Sequence, residues 1–191
     1  LAQQNQINPI HIADRKRDKW RATVDWSPAD RMSLTFNVED ARDRYAATRP
    51  YGLRDGTAEM YSADFSYAFS DAWKFNAWYS YDKTKAHQFN QRTGTVVDTL
   101  MEDRLADTGN SVGLGLRGEP YSWLKIGGDV QYTKNTSQYN QAITLLGTTI
   151  AYPIGTGGPL PDIHNTLSRF KLFGAWVINK QSELRFDLIH E

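Results

Sequence analysis

Residues 59–83 read EMYSADFSYAFSDAWKFNAWYSYDK, and their alternation decides the fold. Tyr61, Ala63, Phe65, Tyr67 and Phe69 fall on one parity, against Ser62, Asp64, Ser66 and Ala68 on the other. After Ser70-Asp71-Ala72 the pattern resumes, with Trp73, Phe75, Ala77, Tyr79 and Tyr81 opposing Lys74, Asn76, Trp78, Ser80 and Asp82. Successive side chains of a strand point to opposite faces. The stretch is therefore a β-hairpin with one aromatic, apolar wall and one polar wall.

The unit recurs along the chain. Trp20–Trp26 and Met32–Val38 meet across Ser27-Pro28-Ala29-Asp30. Ser111–Gly118 and Trp123–Thr133 meet across Glu119-Pro120-Tyr121-Ser122, and Leu167–Ile178 and Glu183–His190 across Asn179-Lys180-Gln181-Ser182. The polar walls carry both signs of charge: Arg21, Asp25, Asp64, Lys74, Arg117, Lys125, Asp129, Arg169, Lys171, Arg185 and Asp187.

Between hairpins the connections are far longer. Asp40–Thr57, Thr84–Asn110 and Lys134–Thr166 read as loops rich in Gly, Asn, Asp, Thr and Pro. Within the last, the apolar stretch Ile143–Ile150 suits a small outer hairpin or a partner contact. Short turns at one end and long loops at the other describe an outer-membrane β-barrel, with periplasmic turns and extracellular loops. A half-buried soluble sheet also alternates, so a soluble sandwich or carbohydrate-binding module is the competing architecture. Strands of about 9–12 residues fit a tilted bilayer crossing and exceed the usual soluble length. Trp26, Phe69, Trp73 and Trp123 stand beside the short turns, where an interfacial aromatic girdle belongs. The expected fold is all-β, a transmembrane antiparallel up-and-down barrel. This chain would supply about eight strands of it within one barrel domain over 1–191, as hairpins at about 19–39, 58–83, 110–133 and 167–191.

Composition removes several classes of function. The 22 Lys+Arg balance 22 Asp+Glu, so nothing electrostatic points to nucleic acid. No apolar run approaches the roughly 20 residues of a membrane helix. With 0 Cys, this chain holds no disulfide, thiolate metal site or covalently attached c-type haem. Its 6 Trp and 10 Tyr are abundant for so polar a sequence, as aromatic girdles require. Leu1-Ala2-Gln3-Gln4 shows no secretory signal, and Leu184–Glu191 breaks off inside an alternating strand. Both ends look cut. Eight strands alone would close only a small barrel filled by its own side chains, so a piece of a larger barrel is expected.

Four segments resemble the C-terminal part of the MtrB/PioB family. Asp14-Arg15-Lys16-Arg17-Asp18-Lys19 leads into a strand ending Asp25-Trp26-Ser27-Pro28. Asp107-Thr108-Gly109-Asn110-Ser111-Val112-Gly113-Leu114-Gly115-Leu116 is similar to the family's loop-to-strand entry. Gly158-Pro159-Leu160-Pro161-Asp162 precedes a basic strand, and Leu184–Glu191 resembles the start of a penultimate-type strand. The resemblance implies an outer-membrane barrel that sheathes a multihaem c-type cytochrome, with a second cytochrome at the extracellular loops. The haem would be carried by the partner, and the eleven charged residues named above would face it across the lumen.

No catalytic constellation accompanies this pattern, and no enzyme is expected. His11, His87, His164 and His190 are scattered without ligand spacing, three of them in the expected loops. Asp98, Glu102, Asp103 and Asp107 offer carboxylates for Ca²⁺ but lack EF-hand spacing. Gly113, Gly115, Gly118, Gly127 and Gly128 alternate with apolar residues and open no helix, so they make no phosphate cradle. In a strand they give room for a bend or a close approach. The alternative function is a diffusive or substrate-specific porin, in which Trp78 or Phe173 would form part of a sugar slide.

Overall fold

Backbone pairing, rather than an apolar core, holds the described residues together. The computed structural model describes residues 7–8, 14–46, 51–92, 98–146 and 157–191. Its strands are β1 (Ile7–Asn8), β2 (Arg15–Ala29), β3 (Met32–Tyr45), β4 (Tyr51–Tyr67) and β5 (Trp73–Arg92). They continue with β6 (Asp98–Tyr121), β7 (Leu124–Leu146), β8 (Gly157–Pro159), β9 (Ile163–Asn179) and β10 (Ser182–His190). One sheet runs in the order β10-β9-β7-β6-β5-β4-β3-β2, each strand antiparallel to the next. The short β1 joins β4 in parallel, and β8 extends the edge of β7 beyond β9.

The usual inside-out rule is inverted. Ala41 and Ala175 are the buried hydrophobic residues among those described, while Trp20, Trp26, Trp176, Ile178 and Phe186 are each more than half exposed. So large a contiguous apolar surface needs a non-aqueous neighbour. The apolar parity is that surface, and the polar parity is the more crowded side, as on the concave face of a curved sheet. Aromatic rings bracket the apolar band. Near the short turns Phe69 stacks on Trp73 and Tyr121 on Trp123, which in turn meets Trp176 at 5.4 Å. At the opposite boundary stand Trp20, Tyr61, Tyr79 and Tyr132, all exposed, with Tyr61 against Tyr81. On β5 the band from Trp73 to Tyr81 is about 26 Å along the strand, or about 20 Å once tilted.

The tilt itself follows from register. The middle of the β2 band, Thr23, pairs stepwise through Asn37, Ser62, Ser80, Ser111 and Thr133 to Leu167 on β9. The β9 band, Phe170–Ile178, is centred at Gly174, about seven residues or 23 Å further along. Six inter-strand steps of about 4.8 Å separate the two strands. Holding the band level therefore requires a tilt of about 40°, the inclination of outer-membrane barrels.

Two expectations need correction. The long connections are mostly strand: β5, β6 and β7 run 20, 24 and 23 residues, so the ladders continue well past the aromatic boundary. The hairpins thus exceed 19–39, 58–83, 110–133 and 167–191, and His87 and His164 lie in β5 and β9. Alternation fades there because both faces are wet, while backbone pairing needs no apolar face. Of the apolar stretch Ile143–Ile150, residues up to Leu146 belong to β7, and 147–150 lie outside the described residues, as does His11. Three of the turns are also tighter than expected, since β2 reaches Ala29 through a bulge, Trp123 sits in a turn with Ser122 and β10 begins at Ser182, whereas the second is longer, spanning 68–72. In the first turn Arg31 adopts φ 93°. Its carbonyl accepts the Ala68 N–H at 2.8 Å and its guanidinium reaches Asp71 at 2.7 Å, tying the first two turns together.

Two glycines sit in contrasting surroundings. A Cβ at Gly127 would lie 2.6 Å from the Leu116 carbonyl oxygen and meet the Phe173 ring, whereas one at Gly174 meets nothing within 4 Å. In the intact barrel, Gly127→Ala should lower unfolding stability in urea by about 1–3 kcal/mol. Gly174→Ala should leave it unchanged or raise it by about 0.5 kcal/mol. Equal effects would contradict this packing. In vesicles of brominated phospholipid, single-tryptophan variants should show Trp20, Trp26, Trp73 and Trp176 quenched and Trp78 spared. Efficient quenching of Trp78 would reverse the assignment of the faces.

Candidate functional site

The eleven charged residues read from the sequence all fall on the polar face, in cross-strand rows. Asp25, Thr35, Asp64, Trp78, Gly113, Gln131 and Arg169 form one row from β2 to β9. Lys74, Arg117, Gly127, Phe173 and Asp187 form another from β5 to β10. Asp129 lies beside Lys171, and Lys125 and Arg185 flank Ala175.

Most of these charges are neutralised in place. Arg117 pairs with Asp129 at 2.9 Å, Lys171 with Asp187 at 3.0 Å and Arg185 with Asp187 at 2.8 Å. Lys125 meets Glu183 and Arg169 meets Glu191, both at 3.1 Å. Arg21 shares Glu39 with Lys19, far from the others on β2 and β3. Asp25 accepts a hydrogen bond from the Thr35 hydroxyl at 2.7 Å. Asp64 and Lys74 have no ion pair among the described residues. Each exposed pair adds at most about 1 kcal/mol, so the rows matter for surface chemistry more than for stability.

Phe173 stands at the centre of the densest part. It lies between the Arg117 and Arg185 guanidinium groups, at 4.9 and 5.1 Å from its ring centroid. Its ring covers Gly127, and one strand pair away the Trp78 indole covers Gly113. Both aromatics break the polar parity, and both stand next to a glycine on a neighbouring strand. That coincidence was readable from sequence once register is known, and it marks where flat rings lie on the inner wall. A cleft of about 300 Å³ beside Trp78 is shared by Arg117, Asp129, Arg169 and Lys171.

Past the aromatic boundary the polar face is clasped by two buried carboxylates that the loop expectation concealed. Asp43 on β3 receives Nε and Nη2 of Arg17, both at 2.6 Å. This contact, with lesser pull from Arg15, holds its carboxyl below the usual range. Asp103 on β6 is 2% exposed and has no cation beside it. Burial pushes its pKa up, but Tyr139, Gln141, Gln88 and Asn90 donate to the carboxylate and hold it below the ordinary value. Burial and then Asp103 drive the Tyr139 phenol up to about 12, so it remains a donor. The proposed calcium cluster does not assemble. Strand alternation sends Glu102 to the outer face, with His87 and Arg104, and Asp103 and Asp107 to the inner. Among the described residues no acid and histidine group could hold a metal ion.

A carboxyl whose folded pKa is depressed contributes stability above its unfolded pKa, near 4, and loses it as pH falls through the folded value. Protection factors (exchange relative to the intrinsic rate at each pH) at the outer ends of β3, β6 and β7 should therefore be unchanged from pH 8 to about pH 5 and fall below about pH 4. Asp103→Asn should speed exchange in β6 and β7 at neutral pH and flatten the acid step there. An unchanged acid step would show that Asp103 does not hold this region.

The family model described as "outer membrane beta-barrel porin, MtrB/PioB" matches residues 2–191. The chain is 26% identical over 186 residues to the outer membrane protein MtrB of Shewanella baltica (strain OS185). That match covers 95% of this chain and 24% of the relative, so the chain spans about a quarter of its length. Among solved structures, the copper transporter OprC matches with TM-score 0.67 at 14% identity, over 93% of this chain and 29% of that one. BauA, the ferric preacinetobactin receptor of Acinetobacter baumannii, matches with TM-score 0.58 at 13% identity, over 92% and 36%. At such identities these likenesses show the fold alone, a wall of an outer-membrane β-barrel, and they overturn the soluble sandwich. With the tilt, the girdles and the inverted surface, the match places this protein in the outer membrane: the chain belongs to the MtrB/PioB family of outer-membrane β-barrel porins.

Proposed function

We propose that the intact barrel sheathes and positions a multihaem c-type cytochrome, so that electrons cross the outer membrane through the partner's haems. The observation that carries this reading is the inner face. Its charges are of both signs, mostly neutralised in pairs, and densest around an arginine-flanked phenylalanine. A channel that selects ions uses rings of one sign. A paired, two-signed wall has little net field but many short-range donors and acceptors. Arginine and aromatic residues are enriched where proteins bind proteins. Arg21, Asp25, Asp64, Lys74, Arg117, Lys125, Asp129, Arg169, Lys171, Arg185 and Asp187 would meet the partner. The wall would exclude lipid and hold the partner while doing no redox chemistry, and this chain has no cysteine for covalent haem attachment.

One observation favours a second reading, a diffusive or substrate-specific porin. The Trp78 indole covers Gly113 on the inner wall, and an indole face can stack on a sugar ring. The two readings separate on the full-length protein. If it sheathes a cytochrome, a haem-bearing partner should co-purify, and liposomes holding the complex should pass electrons to an external acceptor. Planar bilayers should show little steady conductance. Arg117→Glu with Arg185→Glu should weaken partner retention about tenfold or more while the barrel still folds. A large steady conductance with no haem-bearing partner and no electron transfer would sink the sheath and leave the porin.

A further inference from the structure

Above the aromatic boundary the outer face is indented, on the side away from the lumen. Outward positions of β4 to β7 line a cleft of about 600 Å³ there, with Thr57, Lys85, His87, Arg104, Gln138 and Asn140 among its walls. Of its three acids, Asp55 and Asp162 are hydrogen-bonded, while Glu59 has no ion pair among the described residues and stands opposite Lys83 in register. The His87 ring bridges Asp55 at 3.1 Å and Glu102 at 3.0 Å, and Glu102 also accepts from Arg104 at 2.8 Å. Asp162 accepts from Gln138 at 3.0 Å. Lys85 has no ion pair among the described residues, and the Arg104 side chain is 72% exposed.

Height above the bilayer decides what reaches this cleft. Lys85 is four residues beyond Tyr81 on β5, and Arg104 eight residues beyond Val112 on β6. At 3.3 Å per residue and a tilt of about 40°, they stand about 10 and 20 Å outside the hydrocarbon. A phospholipid headgroup layer is only about 5–8 Å deep on each side. An occupant anchored in the same leaflet must therefore carry a taller, sugar-built headgroup.

We propose that this cleft binds the phosphorylated saccharide headgroup of an outer-leaflet glycolipid. Lys85 and Arg104 pair with its phosphate, while Thr57, Gln138 and Asn140 hydrogen-bond its hydroxyls. The site rests on the outer-membrane placement and is independent of any cytochrome, so either proposal can fail alone.

Native mass spectrometry of the full-length barrel, loaded from vesicles of bisphosphorylated lipopolysaccharide, tests it. The barrel should retain this glycolipid in preference to its enzymatically dephosphorylated form and to phosphatidylglycerol. At about fivefold per surface cation, Lys85→Ala with Arg104→Ala should weaken retention about 30-fold. Lys85→Arg with Arg104→Lys should restore it, which separates lost charge from misfolding. Should the alanine pair fail to fold, the comparison of the three lipids on the unmodified barrel decides by itself. Equal retention of the dephosphorylated glycolipid or of phosphatidylglycerol would overturn the site. So would unchanged retention by a folded alanine pair, or complete competition by millimolar inorganic phosphate, which would mark a generic anion site.

Discussion

Hydrocarbon offers no partner to an N–H or a carbonyl, and that constraint generates the rest of this structure. Every backbone polar group at bilayer depth must be paired by a neighbouring strand. The ladders accordingly run without interruption from β2 to β10, and register shifts fall at the turns and at the outer end of β4. Once the backbone is satisfied laterally, side chains are free to sort by parity alone. Tryptophan, phenylalanine and leucine take the lipid side, while charges and amides take the other. Such a wall requires no buried apolar core, and among the described residues Ala41 and Ala175 are the buried hydrophobic ones.

The same pairing fixes the inclination of the wall. Register ties Thr23 to Leu167, yet the lipid-facing bands on those two strands are displaced along the chain. Only a tilted sheet brings both bands to one depth. Sequence thus encodes the tilt as a steady drift of the apolar stretch relative to the hydrogen-bond rows, from Trp20–Trp26 on β2 to Phe170–Ile178 on β9. The drift also explains why Tyr79 and Tyr132 mark the boundary alongside Tyr61 and Tyr81 although they occupy different rows.

Legibility follows the solvent. Where one face meets lipid and the other water, as in Glu59–Lys83, alternation is strong and the hairpin can be read residue by residue. Beyond Tyr81 the residues Lys83-Thr84-Lys85-Ala86-His87 carry no such contrast, and a strand looks like a loop. The inner charges were readable because parity alone places them, but their partners were not all named. Glu183 and Glu191 pair across strands whose register the sequence does not state. Asp43 and Asp103 were hidden for the same reason, since both lie in the two-faced polar region. His87 looked like a solvated histidine because its carboxylate neighbours, Asp55 and Glu102, come from two different strands.

The long extensions change what the wall presents to its surroundings. A barrel that ended at Tyr61 and Tyr81 would meet the outside through mobile loops, whose contacts cost entropy to form. Here the sheet continues as paired β5, β6 and β7, so side chains beyond the membrane are held at fixed spacing on two opposite surfaces. Its inner surface is fastened by Asp103 and its ring of donors, and its outer surface by His87 between two acids. Both are pre-ordered before any ligand arrives. This stretch of wall is neutral overall, so its own charges add little long-range attraction. What this wall offers a partner is matched short-range contacts, which a rigid sheet holds in place and a loop does not.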